Sequence, residues 1–296
     1  MSKPSVVVVL GPTASGKSSL AVELARRWNG EVISADSRQV YRGLNIGSGK
    51  ITHREMRGVR HHLLDVAAPR RVFTVADYQR LARRAIADIL KRGKLPIICG
   101  GTGLYIDAAI YNTTFPEVKP QTALRKRLEK KTAEALFAEL KKKDPRRARS
   151  IDRHNKRRLV RALEIIYATG KPVPRSGSAR SPYNVVIIGL QVPAELLRMR
   201  IKKRLQGWFR QGLIPEVQKL RGQAVSWKKI EEFGLEYKAV AQYLQKKIDK
   251  KTMLEQSEKE IVQYAKRQMT WFKRNKKIYW IATPSEGIRV VQKQLT

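Results

Sequence analysis

Residues 6–18 read Val-Val-Val-Val-Leu-Gly-Pro-Thr-Ala-Ser-Gly-Lys-Ser, an apolar β-branched run that passes straight into Gly-x-x-x-x-Gly-Lys-Ser. Residues 6–10 have the make-up of a buried strand, and residues 17–28 follow with Leu20, Ala21, Leu24 and Ala25 at helical spacing. A strand, a glycine-bounded loop and a helix in that order make a cage of backbone N–H groups at a helix N-terminus, shaped for a di- or triphosphate. The loop residues are Gly11, Pro12, Thr13, Ala14, Ser15, Gly16, Lys17 and Ser18. Gly11 and Gly16 let the backbone approach oxygen atoms without a Cβ in the way. Lys17 is placed to reach the terminal phosphates, and the Ser18 hydroxyl to complete a Mg2+ shell. Which molecule carries the phosphates stays open at this point.

Working outward, strands and helices alternate. Residues 31–34 read as a strand ending at Asp36, 62–66 as a third strand, and 75–90 as a helix stopped by Gly93. Residues 95–99 form another apolar strand, which opens into Gly100-Gly101-Thr102-Gly103. This pattern predicts an α/β fold, a P-loop NTPase-like parallel sheet with helices on both faces. Ligands in such sheets sit at the carboxyl ends of the strands, where the phosphate loop, Asp36 and the Gly-Gly-Thr-Gly turn converge.

From residue 117 the character changes. Residues 123–143 and 157–169 look like amphipathic helices separated by Asp144-Pro145, with basic clusters at Arg125-Lys126-Arg127, Lys141-Lys142-Lys143, Arg146-Arg147 and Lys156-Arg157-Arg158. A Pro/Gly/Ser-rich loop at 171–184 leads into a strand at 184–192 that rejoins the sheet. A helix over 194–211, further helices between 238 and 275 and a last strand over 278–281 complete the reading. The domains expected are 1–116, the first part of the core; 117–183, a helical insertion; and 184–296, the rest of the core.

Lys and Arg number 62 against 25 Asp and Glu in 296 residues, a net charge of +37. Residues 1–110 hold 18 basic and 8 acidic side chains, and the remainder 44 and 17, so the excess lies beyond the phosphate loop. Such a balance implies a polyanionic partner, most simply nucleic acid. The single cysteine, Cys99 in Pro-Ile-Ile-Cys, excludes an internal disulfide and a multi-Cys zinc module, and reads as a packed thiol. His61 and His62 have no ligand-spaced partners. No apolar stretch reaches membrane-span length, and the N-terminus enters the first strand at once, which points to a cytoplasmic protein with no membrane partner.

Asp36 carries two readings. Beside a phosphate cage and Mg2+ its carboxylate stays ionised and can accept a proton; equally, an Asp there caps a turn near Arg38. Asp65 stands where many NTPases place a magnesium-shell carboxylate.

Five blocks resemble the tRNA dimethylallyltransferase family, bacterial type. They are Gly-Pro-Thr-Ala-Ser-Gly-Lys-Ser at 11–18; Ile-Ser-Ala-Asp-Ser-Arg-Gln-Val-Tyr-Arg-Gly-Leu-Asn-Ile-Gly at 33–47; Gly-Gly-Thr-Gly-Leu-Tyr at 100–105; Asn-Lys-Arg-Arg-Leu-Val-Arg-Ala-Leu-Glu at 155–164; and Tyr-Ala-Lys-Arg-Gln-Met-Thr-Trp-Phe at 264–272. Their order and length span most of the chain. The family's Ile-Gly-Tyr-Lys segment is replaced by Phe233-Gly234-Leu235-Glu236-Tyr237-Lys238, and the cysteine-and-histidine extension of many eukaryotic relatives is missing.

The resemblance implies transfer of a dimethylallyl group from dimethylallyl diphosphate to N6 of the adenine on the 3′ side of the tRNA anticodon, releasing diphosphate. On that footing the phosphate loop holds the donor, Mg2+ sits at Ser18, and Asp36 is the general base. Thr13 touches the bridging or a nearby oxygen, Lys17 neutralises the leaving group, and Arg204 closes over it unless it is a solvated helix charge. Asp36, Ser37, Arg38 and Gln39 line the mouth of a base-flipping channel with Thr102 nearby. Arg157, Arg158, Leu159, Val160 and Arg161, joined by Lys266 and Arg267, hold the anticodon stem-loop, whereas Trp271 reads as core packing. A monomer is expected. Two alternatives remain open here: a prenyltransferase acting on a free adenylate, which the basic insertion disfavours, and a P-loop kinase or RNA-binding NTPase.

Overall fold

Val6, Val7, Val8 and Val9 are fully buried, which only a strand covered on both faces permits. In the computed structural model, which describes residues 3–113, 115–116, 118, 121–174 and 180–295, they form the centre of β1 (Ser5–Leu10). The chain continues through α1 (Lys17–Arg27), β2 (Gly30–Ser34), α2 (His53–Met56), β3 (His61–His62), α3 (Val75–Lys91), β4 (Leu95–Gly100) and α4 (Gly103–Ile110). Four helices follow, α5 (Thr122–Glu129), α6 (Ala133–Lys143), α7 (Pro145–Ser150) and α8 (Lys156–Thr169). Then come β5 (Asn184–Leu190), α9 (Ala194–Gln211), α10 (Leu213–Gly222), α11 (Trp227–Phe233), α12 (Leu235–Leu244), α13 (Lys250–Phe272), β6 (Ile278–Ile281) and α14 (Pro284–Leu295).

Among the described residues the six strands form one parallel sheet in the order β3-β2-β4-β1-β5-β6. Val7 lies in register with Ile97 of β4 on one side and Val186 of β5 on the other. Alternation along β1 divides the core. Val6 and Val8 pack with Tyr78, Ile86 and Ile89 of α3 and with Val240 and Ile261 of α12 and α13. Val7 and Val9 face Leu20 and Leu24 of α1 and Val291 of α14. Each fully buried aliphatic side chain here stabilises the sheet by about 1.5–3 kcal/mol.

Two compact units are distinguished: one of Met1–Asn112 with Arg180–Thr296, the other Thr113–Ala179. The second has its own core of Leu128, Leu136, Leu140, Leu159 and Leu163. Its buried Glu164 is held by Arg125 and Arg161, the latter at 2.5 Å.

Three expectations need correction. The strand expected at 62–66 is two residues long, because Leu63 and Asp65 adopt positive φ (63° and 58°) and turn the backbone out of the sheet. The helix expected over 123–143 is two helices, since Thr132 caps a new start by accepting the Ala135 N–H at 3.2 Å. The C-terminal region holds α10, α11 and α14 as well, none of them anticipated. Gly287 hides α14 from a propensity reading, yet a Cβ there would press on Ile281 and Leu20 at 2.9 and 3.3 Å.

Candidate active site

The segments that follow β1 and β2 face one open cleft, whereas the Gly100–Gly103 turn after β4 lies outside its lining. The lining includes Thr13, Lys17 and Ser18 from the phosphate loop, Asp36, Arg38 and Gln39 from the segment after β2, and Gly47, Ser48 and Gly49. Arg204 and Trp208 of α9, Leu235 and Glu236 of α12, and Ile261, Tyr264 and Gln268 of α13 complete it.

Local backbone geometry shapes the loop. Ala14 and Gly16 take positive φ of 62° and 92°, and α1 starts without any side chain capping its first N–H groups. Amides left uncapped at a helix start are ready donors for an anion. A Cβ on Gly11 would lie 2.9 Å from Ser15 Oγ, a buried hydroxyl with no hydrogen-bond partner among the described residues. Lys17 Nζ folds back to donate to the Pro12 carbonyl at 3.2 Å. Burial pushes the Lys17 ammonium down, and Arg204 adds to the fall. An orphaned hydroxyl, uncapped amides and a cation short of a counter-charge together fit a phosphate group.

Asp36 caps its turn and also lines the cleft. Its Oδ1 accepts the N–H groups of Arg38 at 2.8 Å and Gln39 at 3.3 Å, so one oxygen caps the turn, while the carboxylate itself faces the cleft. Thr102 Oγ1 accepts the Ser37 N–H at 3.1 Å, fixing the turn from below. Arg38 donates through Nε to the Phe233 carbonyl at 2.7 Å and stands 3.8 Å from Glu236. Gln39 reaches the Ser48 and Gly49 carbonyls, each at 3.3 Å. Arg204 lies over the Trp208 ring at 4.8 Å and donates to the Gly49 carbonyl at 3.3 Å. Burial lowers its pKa, against the pull of Glu236 and Asp36. It is therefore a half-sequestered cation in the cleft wall, where the sequence also allowed a solvated helix charge.

Several residues escaped the sequence. Gln268 accepts the Thr13 N–H at 2.9 Å and donates to the Gly101 carbonyl at 2.9 Å, tying the phosphate loop to the Gly-Gly-Thr-Gly turn. Glu216 accepts the N–H groups of Asn45, Ile46 and Gly47 and the Tyr237 hydroxyl, and that hydroxyl accepts the Ser48 N–H at 3.1 Å. These two side chains thus set the Gly47–Gly49 wall. The only hint was the pair of glycines themselves. The Phe233–Lys238 segment, where the chain departs from the family pattern, lines the cleft with Leu235 and Glu236 and supports it through the Phe233 carbonyl on Arg38 and the Tyr237 hydroxyl on Ser48.

Other residues fall outside the cleft lining. Asp65 pairs with Lys50 at 2.6 Å. Lys266 and Arg267 are exposed on α13, the latter over Tyr264 at 5.9 Å. In the helical unit Arg157 and Arg158 are exposed, Arg161 is engaged by Glu164 and the Val118 carbonyl, and the Leu159 and Val160 side chains lie in that unit's core. The last two contribute packing, because their apolar side chains are withdrawn from solvent. Trp271 donates to Asp107 at 3.2 Å against α4. Cys99 is buried beneath Lys17 and its thiol is pushed up to about 11. No three His, Cys, Asp or Glu side chains gather into a metal site among the described residues. A magnesium ion here would thus depend on Ser18 and on oxygens brought by the ligand, a donor set Mg2+ accepts.

The chain has relatives of known name and structure. The family model described as IPP transferase matches residues 39–275. A tRNA dimethylallyltransferase of Anoxybacillus flavithermus is 43% identical over 287 residues, covering 96% of this chain and 92% of the relative. The Bacillus subtilis tRNA dimethylallyltransferase is 39% identical over 302 residues, with 99% and 96% covered. The crystal structure of a full-length tRNA isopentenylpyrophosphate transferase from Bacillus halodurans superposes with a TM-score of 0.75 at 37% identity, over 99% of this chain and 97% of that one. A eukaryotic dimethylallyltransferase acting on tRNA gives 0.80 at 27% identity, over 94% and 74%. With a family model matching residues 39–275 and likeness over nearly its whole length, the chain belongs to the IPP transferase family.

Proposed function

We propose that this chain transfers the dimethylallyl group of dimethylallyl diphosphate to N6 of the adenine on the 3′ side of the anticodon in tRNA, releasing diphosphate. One observation carries the reading: a phosphate cradle, a carboxylate and a half-buried arginine open onto the same cleft. The loop amides, the Ser15 hydroxyl and Lys17 hold the diphosphate, with Thr13 at the oxygen that leaves. The C1–O bond breaks as N6 bonds to C1. Negative charge then grows on the diphosphate, where Lys17 and Arg204 stabilise it. Asp36 accepts the N6 proton as the amine loses its lone pair to carbon. Mg2+, when bound with Ser18 as its protein ligand, supplies further charge neutralisation to the leaving group.

The adenine reaches the cleft by leaving its stack, past Asp36, Ser37, Arg38 and Gln39 with Thr102 beneath. Arg157, Arg158, Lys266 and Arg267 present charge to RNA phosphates, and Arg161 would have to leave Glu164 to join them. No helix among the described residues is long and apolar enough to cross a membrane. The enzyme is taken to act as a monomer in the cytoplasm.

The test is incubation with radiolabelled dimethylallyl diphosphate and unmodified tRNA, with nucleoside analysis of the product. Label on N6 of that adenine is expected. Label on free AMP only would indicate an adenylate prenyltransferase, and ATP turnover without prenyl transfer an NTPase.

A further inference from the structure

Glu236 is the carboxylate that α12 contributes to the cleft lining, and its side chain is 1% exposed. Its Oε1 has no hydrogen-bond partner among the described residues, and its nearest cation, Arg38 Nη1, stands 3.8 Å away. A backbone N–H of its own residue reaches the carboxylate, but a charge withdrawn from water with one oxygen unpartnered is still costly, so something besides packing accounts for it. The groups facing it are Arg38 and Asp36 from the segment after β2 and Arg204 from α9. Tyr264 of α13 stands beyond Arg38, and Tyr237 lies next to it on α12. Arg38 and Arg204 are also two of the three cationic side chains lining this cleft, with Lys17 the third.

We propose that Glu236 is a positioning residue, the resident counter-ion of Arg38 and Arg204, and that the diphosphate replaces it as their anion during donor binding. This rests on the reading of the cleft as a diphosphate site. In the free enzyme the carboxylate keeps two half-buried guanidiniums over the cleft. An arriving diphosphate takes over that role and adds negative charge beside Glu236, which then takes up a proton from solvent and becomes neutral.

The starting state suits such an exchange. Burial raises the Glu236 carboxyl to about 7, opposed by Arg38 and Arg204 and assisted by Asp36. Further negative charge raises it more. Donor binding is therefore strongest below pH 7 and weakens as pH rises above it, with proton uptake greatest between the free and the raised pKa of Glu236. Glu236→Gln is permanently neutral and lacks this link.

The test compares native protein and E236Q by calorimetric binding of dimethylallyl diphosphate in buffers of different ionisation enthalpy, from pH 6.5 to 8.5. The ratio of native to E236Q dissociation constants should rise about fourfold between pH 7 and 8.5 if the donor raises the Glu236 pKa by one unit, and more for a larger rise. Native protein should take up more protons than the variant, and E236D should restore the slope. The kinetic change should fall on the donor KM with kcat nearly unaltered. A flat ratio, equal proton uptake in both proteins, or no uptake by native protein at pH 7.5 overturns the proposal. If E236Q unfolds, E236M gives the same comparison. Failure of the native protein to bind the donor at all would overturn the diphosphate reading itself, an outcome distinct from a flat ratio.

Discussion

A Cβ on Gly49 would fall on the guanidinium of Arg204, whose Nη2 donates to the Gly49 carbonyl at 3.3 Å. Glycine at this position, with φ of 55°, is what lets α9 bring its arginine to the cleft wall. Gly49→Ala should displace Arg204 and lower kcat/KM by roughly 10–100-fold, as expected for a misplaced charge donor. Steady-state assays with labelled donor, alongside Arg204→Ala, provide the check. A G49A enzyme of native activity would separate Arg204 from the chemistry.

Asp36 can be divided into its two tasks. Asn keeps an oxygen to accept the Arg38 and Gln39 N–H groups, whereas Ala loses both the cap and the base. Asp36→Asn should cut kcat by about 10²–10⁴, the usual range for a general base, with donor affinity nearly native. Asp36→Ala should abolish transfer, lose additional thermal stability and keep tRNA affinity within about tenfold. Single-turnover rates and melting curves measure the two effects separately.

Removing the Gln268 carboxamide leaves the Gly101 carbonyl and the Thr13 N–H without their partner. Gln268→Ala should destabilise the fold by about 1–3 kcal/mol. It should also weaken donor binding, because Thr13 belongs to the cradle. Urea denaturation and isothermal titration would reveal whether the two losses occur together; stability loss alone would make Gln268 purely structural.

Arg157 and Arg158 are exposed at the start of α8. Replacing both with Ala should reduce the salt slope of tRNA binding by about 1–2 and leave donor affinity unchanged. Filter binding between low and high salt would show it. An unaltered slope would move the RNA contact elsewhere.

Glu31, buried at the start of β2, is bound by Arg92, His62 at 2.7 Å and Lys94 at 3.0 Å. Its hydrogen bonds with Arg92, and then His62 and Lys94, hold its carboxyl well below the usual carboxylate range despite burial. A depressed folded-state pKa gives stability that is present above the unfolded value and lost as pH falls toward the folded one. Native protein should therefore exceed Glu31→Gln in stability at pH 7, with the gap narrowing from about pH 5 downward. Chemical denaturation across that range is the measurement.

Much of this protein was legible in its residues because the information is local. The phosphate loop needs a strand, a short glycine-bounded turn and a helix within residues 6–27, and periodicity alone marks them. Asp36 could be named because it closes a short strand, and α9 was read with both of its ends as found. What the tertiary structure decided lies in pairs far apart along the chain. Gln268 meets Thr13 across 255 positions, Arg204 meets Gly49 across 155, and Glu216 meets the 45–47 N–H groups across about 170. No periodicity records such pairings, since each side chain reads locally as an ordinary helix residue. Burial then changes their chemistry: a carboxylate written into α12 like any surface glutamate becomes, once enclosed beside Arg38, a group that titrates near neutrality. Sequence set the elements and the reacting groups, while packing set the distances, the dielectric surroundings and hence the charges those groups carry.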